Sequence, residues 1–246
     1  MFKHQIIVEY DGTNFIGWQK QKRGHSVQKT IQKTLTKLLK EKILIYGAGR
    51  TDSGVHAVAQ SAHFLTKTKI KNKFIFLNSL NFFLNKKKIS ILSIDKKEKE
   101  FHARFSAKKR TYKYVIINRI ASLSLDINKA WHVKTFLNIE LMKKAAKILQ
   151  GTKDFSAYRS SSCGAKSAIR TLEKVKIKKD GEKIVIIFNS KSFLQQQVRS
   201  MVGCLKFVGE KKWSIKKFKD VMNSKKKNNC APPAPAKGLY LLKILY

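Results

Sequence analysis

The sequence is organised around residues 47–57, which read Gly-Ala-Gly-Arg-Thr-Asp-Ser-Gly-Val-His-Ala. This stretch holds three of the chain's 12 glycines, and glycine permits tight turns and close approach of another backbone. An apolar run leads in over 43–46, and an alternating run leads out over 58–66. The pattern therefore predicts a specially shaped loop between two strands.

Asp52 is the unusual residue of this loop, because the chain has only 15 Asp and Glu residues against 53 Lys and Arg. Two interpretations are open. An Asp in a turn often accepts a hydrogen bond from its own backbone. An ionised Asp beside a cation, here Arg50, can act as a nucleophile. His56 follows Asp52 by four positions, but no third ligand is near, so the pair is a weak metal site.

The formal net charge of +38 indicates an anionic partner, because so much like charge destabilises a compact protein. Nucleic acid fits best. A membrane surface is disfavoured, since the basic residues are spread along the chain and no long apolar run exists. Only eight of the 53 basic residues are arginine. We interpret much of the lysine surplus as drift in an AT-rich genome, and the arginines as the informative cations.

The cysteines and the amino terminus bear on the compartment. Cys163, Cys204 and Cys230 form neither a CxxC pair nor an even set, so a reducing cytoplasm is expected rather than a disulfide framework. The amino terminus enters a strand pattern at once and lacks the apolar core of a signal peptide. With 246 residues, 43% of them hydrophobic, the chain can form one large domain or two small ones.

The first half predicts the order strand, helix, strand, strand, helix, strand, which is the split β-α-β arrangement. In the second of these helices, apolar residues at helical spacing are predicted to face the core: Phe74, Leu77, Leu80 and Leu84. The six elements are placed at about 2–10, 26–39, 43–46, 58–66, 73–84 and 89–94.

The second half predicts the same order without a visible sequence repeat, with a hairpin at Asp180-Gly181 and one additional helix. We therefore predict an α+β fold of two similar βαββαβ halves, residues 1–107 and 108–246. Mostly antiparallel sheets would form a central RNA-binding cleft, with helices on the outer face. The elements of this half are placed at about 109–118, 138–150, 169–178, 183–189, 194–208, 214–223 and 239–246.

Two further groups are candidates for contact with RNA. Arg110, Tyr112 and Tyr114 share one face of a strand, where an aromatic ring beside a cation can stack on an unpaired base or simply pack in the sheet. Arg199 lies among apolar residues of a helix, and a buried Arg requires a carboxylate partner. Asp52 is the predicted partner; the alternative is an exposed helix arginine.

These segments together resemble one family. Residues 49–57 resemble the active-site motif of the tRNA pseudouridine synthase A family. Further segments match other motifs of the family in the family's order: Tyr10-Asp11-Gly12-Thr13, Gly17-Trp18-Gln19, 101–114, Gln197-Val198-Arg199 and Gly238-Leu239-Tyr240. The chain departs from the family at Gln195-Gln196-Gln197, where a more aromatic or histidine-bearing stretch is usual, and at Lys153, where a His is common.

The resemblance implies isomerisation of uridine to pseudouridine at positions 38, 39 and 40 in the anticodon stem-loop of tRNA, with the target base flipped out of its stack. It also implies no metal, no cofactor and a cytoplasmic homodimer. Asp52 matches the nucleophile, and Arg50 the arginine that orients the RNA or helps open the base pair. Tyr112 matches the tyrosine that stacks on the target uracil, and Arg199 the helix arginine that pairs with the catalytic carboxylate.

Several questions stay open at this point. Asp52 could attack C1′ of the ribose or C6 of the uracil, and the base that removes the C5 proton could be Asp52, Tyr112 or water. Three other functions fit the same residues. They are non-catalytic RNA binding, a metal-dependent nuclease built on Asp52 and His56, and a pseudouridine synthase with a different RNA target.

Overall fold

A computed structural model describes all of residues 1–246. The chain forms ten strands and five α-helices. In chain order they are β1 (Phe2–Tyr10), α1 (Val27–Leu39), β2 (Ile45–Gly47), β3 (His56–Thr66), α2 (Lys73–Leu84), β4 (Ile89–Lys97), β5 (Lys109–Asn118), β6 (Trp131–Val133), α3 (Ile139–Ile148), β7 (Gly151–Asp154), β8 (Ile169–Asp180), β9 (Lys183–Ser190), α4 (Gln197–Gly209), α5 (Ile215–Ser224) and β10 (Leu239–Leu245).

The residues group into two compact units. The first contains Met1–Lys108 and Tyr240–Tyr246, and the second contains Lys109–Leu239. The predicted division after residue 107 did not anticipate that the last seven residues join the first unit. They do so because β10 pairs in parallel with β3, a long-range contact that no local pattern encodes.

The first unit has the predicted order of strands and helices. In its sheet β1 lies between β3 and β4 and is antiparallel to both, while β2 is antiparallel to β3. Helix α1 begins after Ser26, whose side chain accepts a hydrogen bond from the Lys29 amide, and it buries Val27, Ile31 and Leu35. The predicted start of this helix, at about residue 26, is therefore confirmed.

Helix α2 differs in part from its prediction. Leu80 and Leu84 are buried as predicted, but Phe74 is 72% exposed, so its assignment to the core was wrong. The reason is that α2 carries large apolar residues on several sides, including exposed Ile75 and Phe82. Periodicity then defines no single inward stripe.

The second unit is a mostly antiparallel sheet with three helices. β9 lies between β5 and β8, β7 pairs with β8, and the short β6 runs parallel to β5. The predicted hairpin is confirmed, with Gly181 at a positive φ of 53° and Asp180 paired with Lys183. β6 and β7 were not predicted, because strands of three and four residues carry almost no periodicity. Helix α3 contacts β8 and α4.

The predicted α+β class, with mostly antiparallel strands and helices outside the sheet, is confirmed. Helix α4 begins at Gln197, about three residues later than predicted, because Gln196 adopts the left-handed region with φ 62°. None of the five helices has the length and apolar content required to cross a bilayer.

A buried histidine ties the segment after β4 to β3. Nδ1 of His63 accepts a hydrogen bond from the Ala103 amide at 3.2 Å, and the His63 ring is 4% exposed. Burial, followed by the charges of His102 and Lys3, lowers the pKa of His63 to about 4. The neutral imidazole is therefore the folded form, since a proton on Nδ1 would displace the Ala103 contact.

We expect this histidine to make the first unit sensitive to mild acid. Its folded pKa of about 4 lies below the unfolded value near 6.5, so the unfolded chain binds more protons between these values. The stabilising contribution is complete above pH 6.5 and is lost as pH falls towards 4, by about 2 kcal/mol after solvent screening. Urea unfolding across this pH range should show a smaller loss of stability in His63→Gln than in the wild-type protein. The exposed-site control His25→Gln should lose as much stability as the wild-type protein. Equal losses of stability in all three proteins would contradict the assignment of the acid sensitivity to His63.

Candidate active site

The loop of residues 48–55 connects β2 to β3, as the glycine pattern predicted. Its entry is fixed to β3 by two hydrogen bonds. The Ala48 amide donates to the Ser61 carbonyl at 2.8 Å, and the buried Gln60 amide group donates to the Gly49 carbonyl at 2.7 Å. These bonds hold the backbone on the amino side of Asp52 in one position.

The far side of the loop is fixed by a second segment, residues 10–18. The Trp18 amide donates to the Thr51 carbonyl at 3.1 Å. The Phe15 carbonyl accepts from the Gly54 amide at 3.3 Å and from the Ser53 hydroxyl at 3.1 Å. The Tyr10 and Thr51 hydroxyls are also bonded, at 2.7 Å. Residues on both sides of Asp52 are therefore held by backbone and side-chain contacts rather than by the loop alone.

Two glycines of the 10–18 segment make this approach possible. A Cβ on Gly12 would lie 2.0 Å from the Val55 carbonyl oxygen, and a Cβ on Gly17 would lie 2.5 Å from that of Thr51. Gly17 also has a φ of 112°, which side chains disfavour. The glycines thus serve close backbone packing in addition to turning the chain.

His56 has a structural position in this arrangement. Its Nδ1 accepts a hydrogen bond from the Gly12 amide at 3.1 Å and lies 3.2 Å from a carboxylate oxygen of Asp11. Its ring is stacked on Tyr240 at 4.7 Å. Sequence reasoning missed this role, for which the only signal is the Tyr10-Asp11-Gly12-Thr13 motif.

Asp11 is a second ordered carboxylate near the loop. Burial raises its pKa, but hydrogen bonds from the Thr13 hydroxyl and amide, with His56 and Lys88 nearby, outweigh burial and lower the pKa overall. Asp11 is therefore ionised at neutral pH. No group of three or more His, Cys, Asp or Glu side chains in the chain is arranged to hold a metal ion.

Arg50 and Asp52 lie together on the loop, as the sequence requires. Arg50 is exposed and Asp52 is half-buried, and the Asp52 carbonyl accepts a hydrogen bond from the Val55 amide at 3.2 Å. The loop thus presents a partly exposed carboxylate from a rigid backbone, beside a solvent-accessible guanidinium. Such a group can serve as a nucleophile or an anionic ligand without a metal.

The second unit carries the two other predicted site residues. Tyr112, on β5 opposite Phe188 of β9, is 7% exposed, and its ring meets Phe193 edge to face at 5.1 Å. Tyr114 is fully buried and donates a hydrogen bond to the Pro235 carbonyl at 2.7 Å; burial raises its pKa. Of the two alternatives left open for the tyrosines, Tyr114 is therefore the sheet-packing residue.

Arg199 lies on the first turn of α4 and is half-buried, so it is not the exposed helix arginine that was the alternative. Its Nε donates to the Ala234 carbonyl at 2.7 Å, and its backbone carbonyl accepts from the Ala234 amide at 3.0 Å. These two bonds fix the base of the guanidinium to the proline-rich segment before β10.

Comparison with known proteins gives one consistent result. A sequence profile of the tRNA pseudouridine synthase family matches residues 6–106 and 145–246. These segments contain the 47–57 loop and Arg199, whereas Tyr112 lies outside them. Among solved structures, a crystal structure of a Cbf5-Nop10-Gar1 complex aligns with a TM-score of 0.33 and 12% identity, covering 82% of this chain and 53% of that chain.

Individual relatives match over their whole length. The protein named tRNA pseudouridine synthase A of Pelagibacter ubique (strain HTCC1062) is 56% identical over 100% of both chains. Proteins of the same name are 43% identical in Neorickettsia sennetsu and 40% identical in Ehrlichia canis, each covering 99% of this chain and 100% of the relative. A profile that matches segments of both units, and relatives that match from end to end, establish that this chain belongs to the tRNA pseudouridine synthase family.

Proposed function

We propose that this protein isomerises uridine to pseudouridine in tRNA. The observation that carries the proposal is the end-to-end likeness to proteins named tRNA pseudouridine synthase A. The net charge of +38 supports an RNA substrate, because Lys and Arg side chains neutralise phosphates and release counterions. The finer proposal, from the resemblance of the motifs, is that the target uridines are at positions 38, 39 and 40 of the anticodon stem-loop.

The reaction breaks the bond between C1′ and N1 and forms a bond between C1′ and C5 of the same uracil. The C5 proton leaves and N1 gains a proton, so no electron acceptor or co-substrate is required. The base must detach and turn, which requires it to leave the RNA stack at a cost of a few kcal/mol. The protein's part is therefore to hold the opened nucleotide and to supply one nucleophile.

We assign the nucleophile to Asp52, attacking either C1′ of the ribose or C6 of the uracil. Support comes from the rigid setting of the loop, since a group held in position loses less entropy on reaching the reactive geometry. The exposed Arg50 is suited to orient the RNA backbone or help open the base pair, because its planar guanidinium can donate two hydrogen bonds to phosphate oxygens. The proton at C5 would leave to Asp52, Tyr112 or water.

Two residues of the second unit complete the proposed site. Tyr112 would stack on the uracil and offset part of the cost of flipping, and Arg199 would pair with the Asp52 carboxylate. The hydrogen bonds of Arg199 to Ala234 support this assignment, because an anchored guanidinium is pre-organised for a carboxylate.

The activity can be tested with a tRNA transcript that has uridines at positions 38, 39 and 40. Carbodiimide labelling and primer extension should detect pseudouridine at these positions after incubation with the purified protein, and none when they are changed to cytidine. Pseudouridine only elsewhere would contradict the assigned sites. Unchanged uridine would favour plain RNA binding, and strand cleavage abolished by a chelator would favour a nuclease.

We expect Tyr112→Leu and Arg199→Gln each to lower kcat by about 10- to 1000-fold with little change in tRNA affinity, because they act on the flipped base and on the nucleophile. The matched control is Tyr114→Phe, two residues away on the same strand. It loses the bond to Pro235, so it should lower stability by about 1 kcal/mol and leave kcat nearly unchanged. Single-turnover rates and tRNA binding check this; a normal rate in Tyr112→Leu would remove Tyr112 from the site.

The resemblance also supports a homodimer in the cytoplasm, with RNA lying across both subunits. Light scattering tests the first part, since one chain has a mass of 28.3 kDa. A mass near that value for the protein without tRNA would contradict the dimer. Fractionation of the source cells tests the cytoplasmic location.

A further inference from the structure

Two cysteine thiols of the second unit face each other. Cys204 lies on α4, and Cys230 directly follows the short 3-10 turn Lys227–Asn229. Their sulfur atoms are 3.4 Å apart, and both are free thiols. Cys204 is fully buried, whereas Cys230 is half-buried. Cys230 is therefore the more accessible residue of the pair.

The surroundings make the two thiols unequal. The hydrogen bond from Cys204 lowers the pKa of Cys230, an effect to which the charge of Lys227 adds, while burial opposes both. The same hydrogen bond and burial raise the pKa of Cys204. The Lys227 ammonium is held at this place by a hydrogen bond to the Ser200 hydroxyl at 2.8 Å. Cys230 thus has the greater thiolate character, and thiolates are the reactive form.

The backbone around the pair is already in close contact. A Cβ on Gly203, the neighbour of Cys204, would lie 2.1 Å from the Pro232 carbonyl oxygen. The Ala234 amide and carbonyl are both bonded to Arg199. Helix α4 and the segment 230–235 are therefore already in contact next to the two sulfurs. Joining the sulfurs requires them to approach from 3.4 Å to about 2.0 Å.

We propose that Cys204 and Cys230 are an oxidation site at which a peroxide forms a reversible disulfide between α4 and the segment 230–235. This inference is independent of the proposed RNA chemistry. Simple core packing would explain Cys204 alone, because buried cysteine behaves as a small apolar residue. It does not explain a half-buried second thiol that is in contact with the first and beside a lysine.

The reaction balances with hydrogen peroxide as the oxidant. The Cys230 thiolate attacks one peroxide oxygen, the O–O bond breaks, and hydroxide leaves to give a sulfenic acid. The Cys204 sulfur then attacks the Cys230 sulfur and displaces hydroxide, which takes up the Cys204 proton as water. Two thiols and one peroxide give one disulfide and two waters. A dithiol reductant reverses the change by thiol–disulfide exchange.

The bond would act on the segment that anchors Arg199. It would close a chain segment from Cys204 to Cys230 and add a covalent link to the two hydrogen bonds at Ala234. A disulfide lowers the entropy of the unfolded chain, so the oxidised protein should melt at a higher temperature than the reduced one. The change would be confined to the carboxyl-terminal side of the second unit.

The test uses the full-length Cys163→Ser variant, in which Cys204 and Cys230 are the remaining cysteines. Treatment with a small excess of hydrogen peroxide, followed by alkylation and mass spectrometry, should show a loss of two hydrogen atoms, no alkylation, and one cross-linked peptide containing both residues. Dithiothreitol should restore two alkylation sites. The melting temperature should rise by about 5 °C on oxidation and return on reduction.

Two variants that each retain one thiol of the pair serve as matched controls. Cys163→Ser/Cys204→Ser retains the reactive thiol alone, so peroxide should give a sulfenic or sulfinic acid on Cys230 and no rise in melting temperature. Cys163→Ser/Cys230→Ser should remain unmodified, because Cys204 is buried. Two thiols that stay fully alkylated after peroxide, a cross-link only between chains, or equal modification of both single-cysteine variants would each overturn the proposal.

Discussion

We expect Asp52→Asn to lower the rate of pseudouridine formation by at least about 10⁴-fold while tRNA affinity stays within a few-fold of wild type. An amide has the shape of the carboxylate but cannot supply its anionic electron pair. The loop itself is held by contacts of Gly49, Thr51 and Ser53, none of which uses the Asp52 carboxylate. The substitution therefore removes the nucleophile from an intact setting.

The measurement is a single-turnover assay with excess protein, combined with filter binding of the same tRNA. Asp180→Asn is the matched control, because it removes the same charge from an exposed hairpin turn of the second unit, and it should leave the rate unchanged. Filter binding of both variants should weaken equally with salt, since phosphate contacts dominate affinity. A rate within 10-fold of wild type in Asp52→Asn would show that another group attacks the nucleoside.

The parts of the fold that depend on local pattern could be predicted from the sequence. The strands of the first unit and its two helices lie close to the positions predicted for them. Long-range contacts could not be predicted in this way. The pairing of β10 with β3 joins Tyr240 to His56, which are far apart in the chain, and the outward position of Phe74 follows from which side of α2 meets the sheet.

In the candidate site, too, local patterns could be predicted from the sequence and long-range contacts could not. The loop and its Asp52 could be identified from glycine spacing and from the scarcity of acidic residues. The packing of residues 10–18 onto that loop depends on backbone and side-chain hydrogen bonds, and these have no signature in hydrophobicity. Strand alternation placed Tyr112 and Tyr114 on one face but could not show which one is fully buried.

The contact between these two segments also leads to a prediction about stability. We expect Gly12→Ala to lower the free energy of unfolding by about 3 kcal/mol or more, because a Cβ on Gly12 would lie 2.0 Å from the Val55 carbonyl oxygen and 2.5 Å from its carbon. Both clashing atoms belong to the backbone, so no side-chain rotation relieves the overlap. The loop must move, and with it the bond from the Val55 amide to the Asp52 carbonyl.

The catalytic rate of Gly12→Ala should fall together with its stability, because a displacement of about 1 Å at a reacting group can lower the rate about 100-fold. Urea unfolding and single-turnover rates at a temperature where the variant is folded separate the two effects. Gly164→Ala is the control, since a Cβ there meets nothing within 4 Å, and it should change stability by no more than about 0.5 kcal/mol. If Gly12→Ala matched this control in both stability and rate, residues 10–18 would not be what holds Asp52 in place, and the rigidity ascribed to the loop would have to come from β3 alone.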